Sequence, residues 1–402
     1  MVPYLALAQA ARARGHRVRV CSHAFHRAYF ERHGVEFVAV GAPFEVADFN
    51  RIVDEAARQS APIKQFDVLV QRLFLHEPAR QLRDLEAALA DADAVVCQRF
   101  DYLGQAAAVR RGRPWASVTL APQLIRTAEA PVYPTPDLGR MWNQFTWLTL
   151  EAMSKPTHEH VTRVLRGVGA PVPPLDVAGA SSPTLDLVAA SPSLVPTRGD
   201  WPRSTVVTGA WVPEPEPYTP PPALAAFLAE HPSPVVVTFG SMGGSDGRAT
   251  TELVLEALAR SRRPGIVQHG YAGLLADGRA PRGVLAVGHV PHDLLFAQAG
   301  CVVHHAGAGT SHAVLRAGVP SVPVPHLFDQ YYWAGRLHDV GVAPKVVFRH
   351  QLSAKKLAAR IEEALSRAPA ARALQSRVAS ERGVEVAMAA LDRLLTDGAP
   401  RA

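Results

Sequence analysis

The stretch Cys301-Val302-Val303-His304-His305-Ala306-Gly307-Ala308-Gly309-Thr310 decides how the rest of the chain is read. An apolar strand meets two histidines and a small-residue loop. The spacing then predicts a helix that starts at Thr310 and stops at Gly318, before Pro320. Strand, loop and helix in this order put unpaired N–H groups and the positive end of a helix at one point, which attracts phosphate. Gly307 and Gly309 keep Cβ atoms out of the path of a ligand. Thr310 either caps the helix or offers its hydroxyl to the anion. Strand alternation sends one of the two histidines to the loop side. There it is a structural residue or a hydrogen-bond donor to a diphosphate.

Working outward, strand and helix patterns alternate on both sides of this block. Helical spacing at 4–14, 24–33, 80–90 and 104–111 alternates with apolar runs at 18–21, 35–40, 94–97 and 115–120. Residues 213–222 hold six prolines, a stiff extended linker. Beyond it the alternation restarts: strands at 235–239, 265–269, 284–287 and 321–325, helices at 251–260, 330–339, 354–366 and 384–395. The class is α/β, with two doubly wound parallel sheets. We expect an N-terminal domain over 1–205, a linker over 206–222 and a second domain over 223–380. Residues 381–402 form a helix and tail that pack back on the first domain. A cleft is expected between the domains, with ligands beyond the carboxyl ends of the strands.

The chain has 402 residues, 48% of them apolar and 19% charged, enough for two cores. No apolar run is long enough for a membrane span. The segment 4–11 is apolar, but its basic residues Arg12 and Arg14 follow it, so it does not read as a signal peptide. Cys21, Cys97 and Cys301 lie apart in strand-like runs and read as reduced core residues of a cytoplasmic protein. The net charge of +6 is spread out, and no basic run is interleaved with aromatics, which argues against a nucleic-acid partner. It leaves room for a peripheral membrane contact.

Gly240-Ser241-Met242-Gly243-Gly244 is a second small-residue loop after a strand. Neither loop has the spacing of a dinucleotide fingerprint or a Walker loop. Asp91-Ala92-Asp93 precedes a strand and reads as a turn rather than a metal site, and no His, Cys or carboxylate spacing suggests zinc. No Gly-x-Ser-x-Gly elbow occurs, which disfavours a serine hydrolase. Asp329-Gln330 follow a strand and suit either recognition of sugar hydroxyls or ordinary helix capping.

At His304–Thr310, Arg316–Pro320, Asp329-Gln330, Phe239–Met242 and Gly288–Pro291 the sequence resembles family 1 glycosyltransferases, in the bacterial branch that glycosylates natural products. Residues 142–147, 200–202 and 207–211 are similar to the sterol and glycopeptide-aglycone glucosyltransferases. The resemblance implies the GT-B fold, two Rossmann-like domains facing across a cleft. It implies an inverting, metal-independent transfer of a sugar from a nucleotide-diphosphate sugar to a hydroxyl of a hydrophobic natural product, sterol or lipid. The nucleotide sugar is a co-substrate, and no cofactor is expected. His305, Gly307, Ala308, Gly309, Thr310 and Ser241 would hold the diphosphate. His289, Val290 and Pro291 would frame the base, and Asp329 and Gln330 the sugar. Trp142, Phe145 and Trp147 either line the acceptor site or pack in the core.

Relatives open with a strand and a Gly-rich loop that carries a catalytic His or Asp. Here Met1 stands just before the segment that follows that loop, so the expectation is a first domain lacking its first strand, through a misassigned start or a truncation. The base would then lie upstream of Met1. His23 and Asp101, which follow N-domain strands, are the substitutes within the chain, and Asp101 also reads as an ordinary loop residue. The alternative is a catalytically inactive protein that binds nucleotide sugars or a partner. A sugar-nucleotide epimerase would need more carboxylates than Asp329.

Overall fold

In chain order the elements are α1 (Val2–Ala13), β1 (Arg19–Ser22), α2 (Arg27–Glu31), β2 (Glu36–Ala39), α3 (Val46–Ala57), α4 (Pro62–Leu69) and α5 (Pro78–Ala88). Then come β3 (Val95–Gln98), α6 (Tyr102–Arg110), β4 (Trp115–Thr119), α7 (Arg140–Gly167), β5 (Asp186–Val188) and β6 (Thr205–Val207). The second half continues with α8 (Pro222–Glu230), β7 (Val235–Thr238), α9 (Gly247–Ser261), β8 (Gly265–Gln268), β9 (Val284–Val287) and α10 (His292–Phe296). It closes with β10 (Cys301–His304), α11 (Ala308–Ala317), β11 (Ser321–Pro323), α12 (Asp329–Asp339), α13 (Ala354–Leu365), α14 (Ala368–Val378) and α15 (Gly383–Asp397). The structure is a computed structural model that describes residues 1–59, 61–177, 179–239, 247–269, 274–275, 280–348 and 351–397.

The chain divides into two compact units, Met1–Glu214 with Arg382–Ala402, and Pro215–Glu381. Strand β6 belongs to the first unit's sheet, so the irregular proline segment starts after Val207 and not at residue 206. At its other end, Pro222 already opens α8, because its fixed φ and missing N–H suit the first turn of a helix.

In the first unit the parallel strands fall into two sheets, β1-β2 and β3-β4-β5-β6. Helix α1 packs on both: Leu5 and Ala8 meet Phe30, Val35 and Phe37, while Ala6 and Leu7 meet Ala116, Val118 and Leu187. Beneath β4 lies a buried polar network. Arg99 donates to Asp176 at 2.6 Å and to Thr119, and Asp186 accepts from Ser117 at 2.7 Å and from Thr119. Burial raises the Asp186 carboxyl, and the Arg99 charge pulls it back.

The second unit is one five-stranded parallel sheet in the order β11-β10-β7-β8-β9. Its strands β7, β8 and β10 are buried on both faces, which is why they read as continuous apolar runs rather than alternating ones. Helices α9 and α13 pack over Val235, Val237, Cys301 and Val303 as the core. The strand order reverses between β7 and β10. In such sheets that reversal opens a crevice at the carboxyl ends.

Candidate functional site

The register fixes what shares the crevice. Thr238 pairs with His304 across β7–β10 and with Gln268 across β7–β8, and Gln268 pairs with Val287 on β9. Residues 304, 238, 268 and 287 therefore end their strands in one row along one edge of the sheet. A bridge ties two of them: Thr238 Oγ1 donates to Gln268 Oε1 at 3.0 Å, and Gln268 Nε2 donates to the Val290 carbonyl at 3.0 Å. Val290 is thus buried and fixed, Pro291 is the N-cap of α10, and His289 stands exposed beside them. Ser241 and the loop 240–244 lie outside the described residues.

The loop after β10 corrects the expected helix start. Helix α11 begins at Ala308 with Gly307 in the N-cap position, two residues before Thr310. Thr310 is therefore the third helical residue, largely buried, and not the cap. The first-turn N–H groups of residues 308–310 have no carbonyl partner one turn back within the helix. Glycine has two separate reasons here. A Cβ on Gly307 would lie 2.5 Å from His305 Nε2, so the glycine makes room for the imidazole. A Cβ on Gly309 would meet nothing within 4 Å among the described residues, and Gly309 is exposed.

The two histidines divide the work. His304, fully buried at the end of β10, accepts the Ala306 N–H on its Nδ1 at 3.1 Å. That bond braces Ala306 in a left-handed conformation, φ 62°, unusual for a residue with a Cβ. It also requires the ring proton on Nε2, which is buried without a partner among the described residues. Burial, with His305 and His292 nearby, holds the His304 pKa well below its ordinary value. His305 is partly buried, its Nδ1 has no partner among the described residues, and burial plus His326 and His292 lowers its pKa to about 3. Burial likewise lowers His292 to about 4. The histidines are thus neutral at neutral pH and stand ready for an anion that would favour their charged form.

The next strand brings a second group to the same edge. The Val324 N–H donates to the His304 carbonyl at 2.8 Å, and His326 packs edge-on against Phe239 at 5.4 Å. Asp329 is the first residue of α12, not its cap; Phe328 holds the cap position with φ 31°. Burial pushes the Asp329 carboxyl up to about 6, opposed by hydrogen bonding from its own backbone N–H. Gln330 is committed on one side: its Oε1 accepts the N–H groups of His326 at 2.7 Å and Leu327 at 3.0 Å. Its role as a binder of sugar hydroxyls is thereby reduced to the remaining NH2.

The first unit's candidates separate by burial. His23 follows β1, stacks on Phe25, meets Phe44 edge-on, and has an Nδ1 without a partner among the described residues. Asp101 is the N-cap of α6 and accepts the Gly104 N–H at 2.9 Å; a Cβ on Gly104 would fall 2.1 Å from Asp101 Oδ2. Trp147 is 2% exposed, and its indole donates to the Ala130 carbonyl, so it is a core residue and not an acceptor contact. Trp142 and Phe145 stay at the surface, their rings 5.7 Å apart. Sequence reasoning missed Gln268 and Thr238. The available signal was a polar residue closing an apolar strand, the same signal that His304 carries.

A two-unit α/β chain with a phosphate-type loop at the switch point of its second sheet has the GT-B fold, and solved structures agree. The chain matches the glycotransferase of kitacinnamycin with a TM-score of 0.71 and 20% identity, over 98% of this chain and 95% of that one. It matches the glycosyltransferase VinC, solved with dTDP, with a TM-score of 0.69 and 22% identity over 98% and 96%. Residues 258–389 match the family described as erythromycin biosynthesis protein CIII-like, C-terminal domain. A sterol 3-beta-glucosyltransferase of Arabidopsis thaliana is 30% identical over 379 residues, covering 89% of this chain and 60% of that protein. One from Saccharomyces cerevisiae is 27% identical over 97% of this chain and 34% of that protein. The chain thus spans about 60% and a third of the lengths of these two relatives. Over most of its length the chain is thus similar to glycosyltransferases, and its second unit to the erythromycin CIII-like family.

Proposed function

We propose that the chain transfers a sugar from a nucleotide-diphosphate sugar to a hydroxyl of a hydrophobic acceptor, a natural product, sterol or lipid, with inversion and without a metal. The observation that carries the reading is the start of α11 at the β7–β10 switch point, with no side-chain cap bond among the described residues, Gly309 exposed and His305 beside Gly307. The first-turn N–H groups supply what a departing diphosphate needs as its charge grows: oriented donors in a partly dry site. His305 donates to the same oxygens. Asp329, partly buried, accepts from a sugar hydroxyl. A general base takes the acceptor proton as the bond to the diphosphate breaks, and His23 is the better placed of the two N-unit candidates, since Asp101 already caps a helix. Sterol glucosyltransferases among the relatives and a dTDP-bound structural neighbour support the acceptor and donor classes.

The test is to incubate the protein with dTDP- and UDP-sugars and a panel of sterol and polyketide acceptors, and to follow glycoside by mass spectrometry. Product whose anomeric configuration is inverted, formed equally well in excess EDTA, is expected. Absence of nucleotide binding by calorimetry would overturn the reading.

A further inference from the structure

The first half of α7 is inside out. Its buried face is largely polar, with Asn143, Thr146, Ser154 and Thr157 beside Trp147. Asn143 donates to the Ala128 carbonyl, Thr146 to the Asn143 carbonyl and Ser154 to the Leu150 carbonyl. The solvent face carries Met141 at 85% exposure, Phe145 at 57% and Leu148 at 54%, with Leu138 at 68% just ahead of the helix. At 3.6 residues per turn, Met141, Phe145, Leu148 and Ala152 fall on one line about 16 Å long. A surface helix ordinarily shows the opposite pattern, and a contiguous exposed apolar patch marks a contact site.

The same line changes character at Pro156. From the residue before it onward come Lys155, Glu159, Arg163 and Arg166, which with His158 and Thr162 line a shallow open groove. Lys155, Arg163 and Arg166 make no ion pair among the described residues, whereas Arg27, Arg110 and Arg260 on other surface helices each pair with a glutamate. Three cations thus face one carboxylate directly beside an apolar stripe.

We propose that this face of α7 docks on an anionic phospholipid surface, the stripe entering the acyl boundary and the groove meeting headgroup phosphates. A bilayer surface presents an apolar and an anionic layer next to each other, which matches the two halves of the line. A second copy packed on the stripe would cover the apolar half and leave the cations without a counter-charge. The proposal is independent of the sugar-transfer reading.

Co-sedimentation of the full chain with vesicles tests it. Vesicles of phosphatidylglycerol and phosphatidylcholine are expected to bind the protein about tenfold more tightly than phosphatidylcholine alone, a preference that fades in high salt. The pair Met141→Ser with Leu148→Ser should weaken binding about tenfold, through lost apolar insertion. The pair Lys155→Glu with Arg163→Glu should remove the preference for phosphatidylglycerol. All four side chains are exposed, and circular dichroism checks that the fold is kept. No binding to the anionic vesicles, or binding that either double variant leaves unchanged, overturns the proposal. So does a dimer in sedimentation equilibrium that the Met141→Ser, Leu148→Ser pair dissociates while vesicles bind neither form.

Discussion

His305 concentrates the residue-scale argument. Its ring is held over Gly307, its Nδ1 lacks a partner among the described residues, and its pKa is lowered to about 3 chiefly by burial. A bound diphosphate reverses the balance, because two negative charges at hydrogen-bond distance favour imidazolium. Binding of dTDP should therefore take up a proton and tighten as pH falls below neutral, by up to about tenfold per pH unit per proton. Calorimetry in two buffers of different ionisation enthalpy reads the uptake directly. His305→Ala should abolish it and lower turnover roughly 10²-fold, the scale of losing one donor to developing charge. Proton uptake that persists in the variant would assign it to another group. The sequence already showed both histidines as special, yet not their division of labour. Which ring turns inward depends on β10 being buried on both faces and on the Ala306 turn. Neither is visible in a pattern of residue types.

At the scale of elements, caps decide more than periodicity does. The helical pattern of 310–318 was legible, but its start was misplaced by two residues, because Gly307 caps through backbone geometry and offers no side chain to recognise. Asp101 is the converse case: a carboxylate that invited a catalytic reading is tied to the Gly104 N–H. Asp101→Ala should cost about 1 kcal/mol, the usual loss for an N-cap. Asp101→Asn, which caps equally well but cannot act as a base, should keep both stability and turnover. A collapse of turnover in the Asn variant at unchanged stability would return Asp101 to the chemistry. The strand ends of the second unit add a pH dependence. Burial lowers His292 and His312 to about 4 and His305 to about 3, with His304 lower still than its ordinary value. Below pH 6.5 the unfolded chain protonates these groups and the native unit does not, so stability falls with pH. Each such proton costs about 1.4 kcal/mol per pH unit. Asp329, raised to about 6, works against this, since the native state binds its proton first. Four histidines outweigh one carboxyl. Urea denaturation of the unit, followed by Trp333 fluorescence, should show a falling midpoint from pH 7 to pH 5. A flat midpoint would mean that the buried rings are already solvated.

At the scale of the whole molecule, the chain leaves the first unit after Glu214 and returns to it at Arg382. Helix α15 then completes the core that α1 began: Met388, Leu391 and Leu394 pack with Ala6, Leu7, Ala116 and Trp211. The return is tight. A Cβ on Gly383 would lie 2.4 Å from the Ala210 carbonyl oxygen, so the chain crosses beside its own exit point. The alternation of strands and helices made two α/β units legible, and the prolines of 213–222 marked a crossing between them. The division of the first sheet into β1-β2 and β3-β4-β5-β6 had to come from pairing, since strands of like composition carry no label of their neighbours. The core sharing has a consequence for stability. Met388 is 2% exposed, and Met388→Ala should cost the first unit about 2–5 kcal/mol, the lost burial plus the cavity it leaves. Because Met388 packs in that unit's core, dTDP affinity, which the proposed function assigns to the second unit's strand ends, should stay unchanged. Differential scanning calorimetry with and without dTDP separates the two. The transition that dTDP raises should keep its temperature in the variant, while the other falls. A single transition lowered as a whole would show instead that the two units unfold as one, and that the last fifteen residues of helix hold the entire chain together.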